Sequence, residues 1–184
     1  MTLKDDFRDG IMNVHTRQFG TVAELVIRIL KNHINSGKIH FDLIDIDNKK
    51  IEVKASRVFK KNELKMDIHN FYEIIMNNSN RGRLLNQKDV TKKDFDCNIQ
   101  QIKTKYFDRL IYLLFFKDII EIFEITNESI LKDKEINYSN KQHAGNVGEG
   151  QFHINNQTYK HHKEKYFIES ITYEKLIEEC KKQK

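Results

Sequence analysis

Two carboxylates and an amine stand close together in the segment Phe41-Asp42-Leu43-Ile44-Asp45-Ile46-Asp47-Asn48-Lys49-Lys50-Ile51-Glu52-Val53-Lys54. Strand side chains alternate between faces, so Glu52 and Lys54 point the same way. A turn at Asp47-Asn48-Lys49 folds the two β-rich runs into a hairpin and brings Asp42 within reach of Glu52. Two carboxylates and a main-chain carbonyl are the hard oxygen ligands that Mg²⁺ takes, with waters completing the octahedron. A metal so held polarises a phosphate and lowers the pKa of a bound water. A lysine two residues from a ligand can orient that water or offset the charge that develops. Without a metal the trio is a strand salt bridge: Ile51 and Val53 alternate with Glu52 and Lys54 as in any amphipathic strand, and Glu-x-Lys arises often by chance in a chain that is 32% charged.

The elements that would position these groups can be read from periodicity. Phe19, Val22, Ala23, Val26, Ile27, Leu30 and Ile34 recur at helical steps, which predicts an amphipathic helix from about Thr16 to Asn35, stopped by Ser36-Gly37. The hairpin over 39–59 follows. A helix fits residues 62–77 moderately, and Asn77 to Arg83 is expected to be a loop. Phe95 to Lys103 and Phe107 to Phe116 are strand-like, and Lys117-Asp118 turns the chain into a further strand, Ile119 to Thr126. Gly145, Gly148 and Gly150 suggest a loop, and Tyr173 to Lys182 a closing helix. The predicted class is α/β (α+β): a mixed central β-sheet flanked by helices.

The chain has 184 residues with no proline and no tryptophan, and it is rich in lysine, asparagine and isoleucine, as in a coding sequence poor in G and C. Its length suits one domain, 1–184, and a bacterial cytoplasmic setting is expected. The longest apolar run, Leu110 to Phe116, is far below the ~20 residues that span a bilayer, and the first ten residues predict no signal peptide. Two cysteines are too few for a disulfide scaffold or a four-cysteine zinc site. Net charge is +5, and the window Lys49–Lys65 alone carries seven basic residues against two acidic ones. That run is either a solvated lysine face or a surface for phosphates. Gly145-x-x-Gly148-x-Gly150 is not a dinucleotide fingerprint, and His161-His162 lacks the cysteine partners of a histidine-metal nuclease.

With these residues in view, Asp42…Glu52-Val53-Lys54 resembles the PD-(D/E)xK nuclease motif, and its context is similar to small type II restriction endonucleases. Phe19-Gly20-Thr21-Val22-Ala23-Glu24 resembles the first helix of such enzymes, and Glu52-Val53-Lys54-Ala55-Ser56-Arg57 the extended form of the motif. Asn98-Ile99-Gln100-Gln101-Ile102-Lys103 with Tyr106-Phe107-Asp108 resembles the strand that follows it, and Gln142-His143-Ala144-Gly145 a late segment. The likeness runs from about Phe19 to Ile154 and is patchy between Lys60 and Asp94. Phe41 stands where the motif's name has proline, and Asp45 or Asp47 could compete for the aspartate role, although spacing favours Asp42.

The resemblance implies a restriction-endonuclease-like core and Mg²⁺-dependent hydrolysis of double-stranded DNA at a short sequence, leaving a 5′-phosphate and a 3′-hydroxyl. Asp42, Glu52 and the Val53 carbonyl would hold Mg²⁺, Lys54 would position the attacking water, and Glu24 would hold a metal-bound water or a second ion. Arg57, Lys60 and Lys61 are candidates for DNA phosphates, with Gln100, Gln101, Lys103, Gln142 and His143 as further DNA-binding candidates. The implied partners are double-stranded DNA, a second copy in a homodimer, and a cognate DNA methyltransferase. The alternatives are a structure-specific repair or recombination nuclease and a catalytically silent DNA-binding subunit.

Overall fold

The computed structural model describes residues 2–61, 66–77, 80–142 and 146–183. It is a mixed α+β fold built on a six-stranded sheet that is covered on both faces. The chain begins with helix α1 (Leu3–Asn13), started by a capping box in which the Thr2 side chain accepts from the Asp5 N–H and Asp5 reaches back to Thr2. Helix α2 (Thr16–Lys31) follows, then β1 (Ile34–Asn35), β2 (Leu43–Ile44) and β3 (Lys50–Arg57). After α3 (Phe71–Asn77) and α4 (Asn80–Arg83) come β4 (Asp96–Ile102), β5 (Arg109–Phe115), β6 (Ile119–Thr126) and α5 (Asn127–Lys132). The remainder is β7 (Ser139–Gln142), β8 (Asn146–Asn155), α6 (Tyr159–Lys165), β9 (Phe167–Thr172) and α7 (Tyr173–Lys181).

The main sheet has the order β1-β2-β3-β5-β6-β9, and a second sheet has the order β4-β8-β7. Only β3 and β5 run parallel; the other pairs are antiparallel. Alternation along β5 explains the layering. Leu110, Tyr112 and Leu114 enter one core with Phe123, Phe152 and Ile154, while Ile111, Leu113 and Phe115 enter another with Phe19, Val26, Ile27, Tyr173 and Leu176. Helices α1, α2 and α7 therefore cover one face of the sheet, and the β4-β8-β7 sheet with α5 and α6 covers the other.

Several sequence expectations need correction. The first amphipathic helix ends at Lys31, not Asn35, because Asn32 takes the left-handed conformation and its N–H caps the Arg28 carbonyl. Ile34, which extends the apolar period, lies instead in edge strand β1 and is exposed. Asn80–Arg83, expected to be loop, is helical. Of the helix expected over 62–77, residues 62–65 lie outside the described residues and Phe71–Asn77 is helical. Gly148 and Gly150, expected in a loop, lie within β8.

Candidate active site

The β2–β3 hairpin pairs Leu43 with Ile51 and Ile44 with Lys50. Its turn is organised by Asp45, a buried carboxylate whose Oδ1 accepts from the Asp47 N–H at 2.9 Å and the Lys49 N–H at 2.8 Å. Asn48 supplies the left-handed residue (φ 59°) that closes the turn. Asp45 is thereby committed to the turn, and Asp47 is exposed.

Asp42 is placed differently. Its N–H donates to the Ile51 carbonyl at 3.0 Å, and its own carbonyl accepts from the Ser36 N–H at 3.0 Å. Its Oδ2 accepts from the Val53 N–H at 2.7 Å, so the carboxylate takes the donor that a longer β2 would have paired. The N–H and C=O of one strand residue face the same side, so the Val53 carbonyl opens toward Asp42. Val53 sends its side chain into the helix-side core, and Glu52 and Lys54 point to the opposite face. There the Lys54 Nζ lies 2.5 Å from Glu52 Oε1, with both side chains largely covered. Glu24 approaches from α2 and is within the field of both Asp42 and Lys54.

All three carboxylates thus lie within the field of Lys54, and Glu24 also within that of Arg28. Burial raises the pKa of Glu52; Lys54 opposes this, and the charges of Asp42 and Glu24 add to it. Asp42 is also raised by burial, against the Val53 N–H and Lys54. Glu24 is raised by burial and then by Asp42, with Lys54 and Arg28 opposing. Burial thus favours the protonated form of all three.

β4 brings a further cation. Its register with β8 shifts between Gln100 and Ile102, a bulge in which Gln101 is exposed and adopts φ 60°. Opposite Ile102 lies Gly150, where a Cβ would meet the Tyr138 hydroxyl oxygen at 2.0 Å, so the ring of Tyr138 occupies the space a side chain would need. Just beyond the bulge, Lys103 pairs with Glu149 at 2.8 Å and feels the charge of Glu52.

The other predicted residues are distributed more widely. Arg57 is drawn inward: its Nη2 donates to the Val14 carbonyl at 2.7 Å and its guanidinium lies 3.8 Å from the Phe19 ring centroid. Lys60 Nζ donates to the Gly82 carbonyl at 3.1 Å. Lys61 borders an open cleft of about 360 Å³ with Asp94, Asp96 and Gln157. Both lysines run beside the start of β4, at the opposite end of that strand from Lys103. Gln100 lies beside Asn98, whose Nδ2 is 3.5 Å from Gln100 Oε1 and 3.1 Å from Gln151 Oε1. Gln142 ends β7 opposite Asn146, and His143 lies outside the described residues. Sequence reasoning missed Glu149, whose only signal, the flanking glycines, pointed to a loop.

A second cluster was also missed. Among the described residues, Asp133, Glu135 and His161 bring ligand atoms within 4.8 Å of one another, a spacing that could hold a metal ion. Asp133 already accepts from His161 Nε2 at 2.7 Å, Lys165 Nζ at 2.9 Å and the Tyr166 hydroxyl, and His161 Nδ1 is 3.2 Å from Glu135. These donors hold the Asp133 carboxyl well below the usual carboxylate range, against the effect of burial.

No protein-family model matches the chain, and no curated protein is similar to it. No helix among the described residues is long and apolar enough to cross a membrane.

Proposed function

We propose that this chain is a Mg²⁺-dependent nuclease of the PD-(D/E)xK type, a type II restriction endonuclease cutting double-stranded DNA at a short sequence. The observation that carries the reading is the Asp42–Val53 hydrogen bond of 2.7 Å, which brings one carboxylate and a strand carbonyl together beside the Glu52–Lys54 pair. The donor set suits Mg²⁺: two carboxylates and a carbonyl, all hard oxygens, with three partly buried acids within the field of Lys54. Asp42, Glu52 and the Val53 carbonyl would hold the ion, which would polarise the scissile phosphate and acidify a water.

The chain's own groups divide the remaining work. Lys54, paired with Glu52, would position the attacking water. Glu24, carried on α2, would hold a metal-bound water or a second ion. Lys103, beyond the Gln101 bulge, exchanges Glu149 for a backbone phosphate. The products are a 5′-phosphate and a 3′-hydroxyl. A two-fold homodimer suits a palindromic target, one centre for each strand, with a cognate DNA methyltransferase in the same bacterial cytoplasm.

The test is cleavage of a plasmid with Mg²⁺ by the wild type and Lys54→Ala, with the product ends mapped. Discrete fragments sharing one end sequence, lost in the variant, are the expected result. Sequence-independent cutting, or cutting confined to junctions and flaps, moves the reading to a repair nuclease. DNA binding without cutting, across substrates and divalent metals, moves it to a silent subunit.

A further inference from the structure

The stretch Asp67–Asn77 carries a pattern usually turned inward. Asp67 caps it: Oδ1 accepts from the His69 N–H at 2.8 Å and the Asn70 N–H at 3.2 Å, and the Asp67 carbonyl takes the Phe71 N–H at 3.0 Å. Ile68, Phe71, Tyr72, Ile75 and Met76 then fall at i, i+3, i+4, i+7 and i+8, an apolar stripe ~140° wide at 100° per residue. Such a stripe ordinarily faces a core. Here the inner positions are Asn70 and Ile74, both half-buried, while each residue of the stripe is 52–80% exposed. No described element packs closely on α3.

We infer that the outward face of α3 is where two copies of this chain associate about a two-fold axis. Five side chains of this size, more than half exposed, present on the order of 600–700 Å² of apolar surface, at the upper limit for a monomer and close to the ~800 Å² per partner of a standard interface. An isologous contact needs a self-complementary patch, and two such stripes packed antiparallel meet that condition. The charged groups on this stretch are Asp67 and Glu73, with no lysine or arginine, which opposes docking of phosphates or an anionic membrane. The inference deepens the dimer within the nuclease reading, and its test uses neither DNA nor metal, so either can fail without the other.

Sedimentation velocity over a concentration series tests it on the full chain. The wild type is expected to dimerise, and Phe71→Asp/Ile75→Asp to raise the dissociation constant roughly a hundred-fold or more, with circular dichroism unchanged because both side chains are exposed. Tyr72, at the centre of the stripe, meets its own copy near the axis. In a Cys180→Ser background, Tyr72→Cys under mild oxidation should therefore give a disulfide-linked dimer that Cys180→Ser alone, with only the buried Cys97 left, does not. This readout stands even where the double variant folds poorly. A wild type that stays monomeric throughout the series, capturing at most other proteins, overturns the inference. So does a dimer that survives Phe71→Asp/Ile75→Asp and is not cross-linked through Tyr72→Cys.

Discussion

Two carboxylate clusters among the described residues are built on different electrostatic plans. Around Asp133, a histidine, a lysine and a tyrosine all donate to one carboxylate, which is held ionised. Around Asp42, three acids lie within the field of Lys54, and burial favours their protonated forms. In the first arrangement the carboxylate's hydrogen-bonding capacity is met by donors of the chain itself. The second gathers three partly buried acids, a setting in which a cation from solution would add stability. Proximity of ligand atoms singles out the Asp133 cluster and burial of several acids together singles out the Asp42 cluster, so the two criteria point to different places.

The most direct way to break this comparison is to exchange the roles. Asp42→Asn or Lys54→Ala should lower Mg²⁺-dependent cleavage by about a thousand-fold, whereas Asp133→Asn should leave the rate per folded molecule within about two-fold, measured on the same plasmid. If Asp133→Asn matches Lys54→Ala, the clusters have been assigned the wrong way round. Asp133→Ala should instead cost stability, by about 2–3 kcal/mol in urea denaturation, because it strands the Tyr166 and His161 donors.

Acid separates the two clusters by sign. The Asp133 carboxyl has a depressed pKa, so its contribution is present at neutral pH and lost as pH falls through its folded value. Asp42, Glu52 and Glu24 have raised values, so the folded state binds protons the unfolded state does not, and metal-free stability falls as pH rises through the carboxylate range. Asp42→Asn should therefore raise the metal-free melting temperature at neutral pH by about 2–4 °C, the shift that ~1 kcal/mol gives a chain of this size. The same variant should lose the further rise that Mg²⁺ gives the wild type in thermal scans. The smallest effect belongs to Lys103→Ala, expected to lower the salt dependence of DNA binding by about one phosphate contact, read from affinities across a salt series.

The hairpin and the meeting of Asp42, Glu52 and Lys54 were legible because every residue lies in one local unit whose alternation is visible in the sequence. The choice among Asp42, Asp45 and Asp47 followed from spacing, and the turn bonds that absorb Asp45 give it a physical reason. Arg57 was less legible: in a basic run it reads as a phosphate ligand, while the Val14 carbonyl and the Phe19 ring that hold it lie some forty residues away in the chain. Gly150 misled for a similar reason. It marks a place where Tyr138 crosses a strand, not a break in one. The α3 stripe was readable as a helix, but no pattern within one chain tells whether its apolar face turns inward.

The parallel pairing of β3 with β5 has a consequence in time. The β2–β3 hairpin is local and can close early, but β3 gains its second neighbour only when residues 109–115 arrive, after a connection of about fifty residues. Contacts of such long sequence separation form late and slowly. A chain emerging from the ribosome therefore carries Asp42, Glu52 and Lys54 well before the strand that braces them, and whatever these groups do is deferred until synthesis has passed the middle of the sequence.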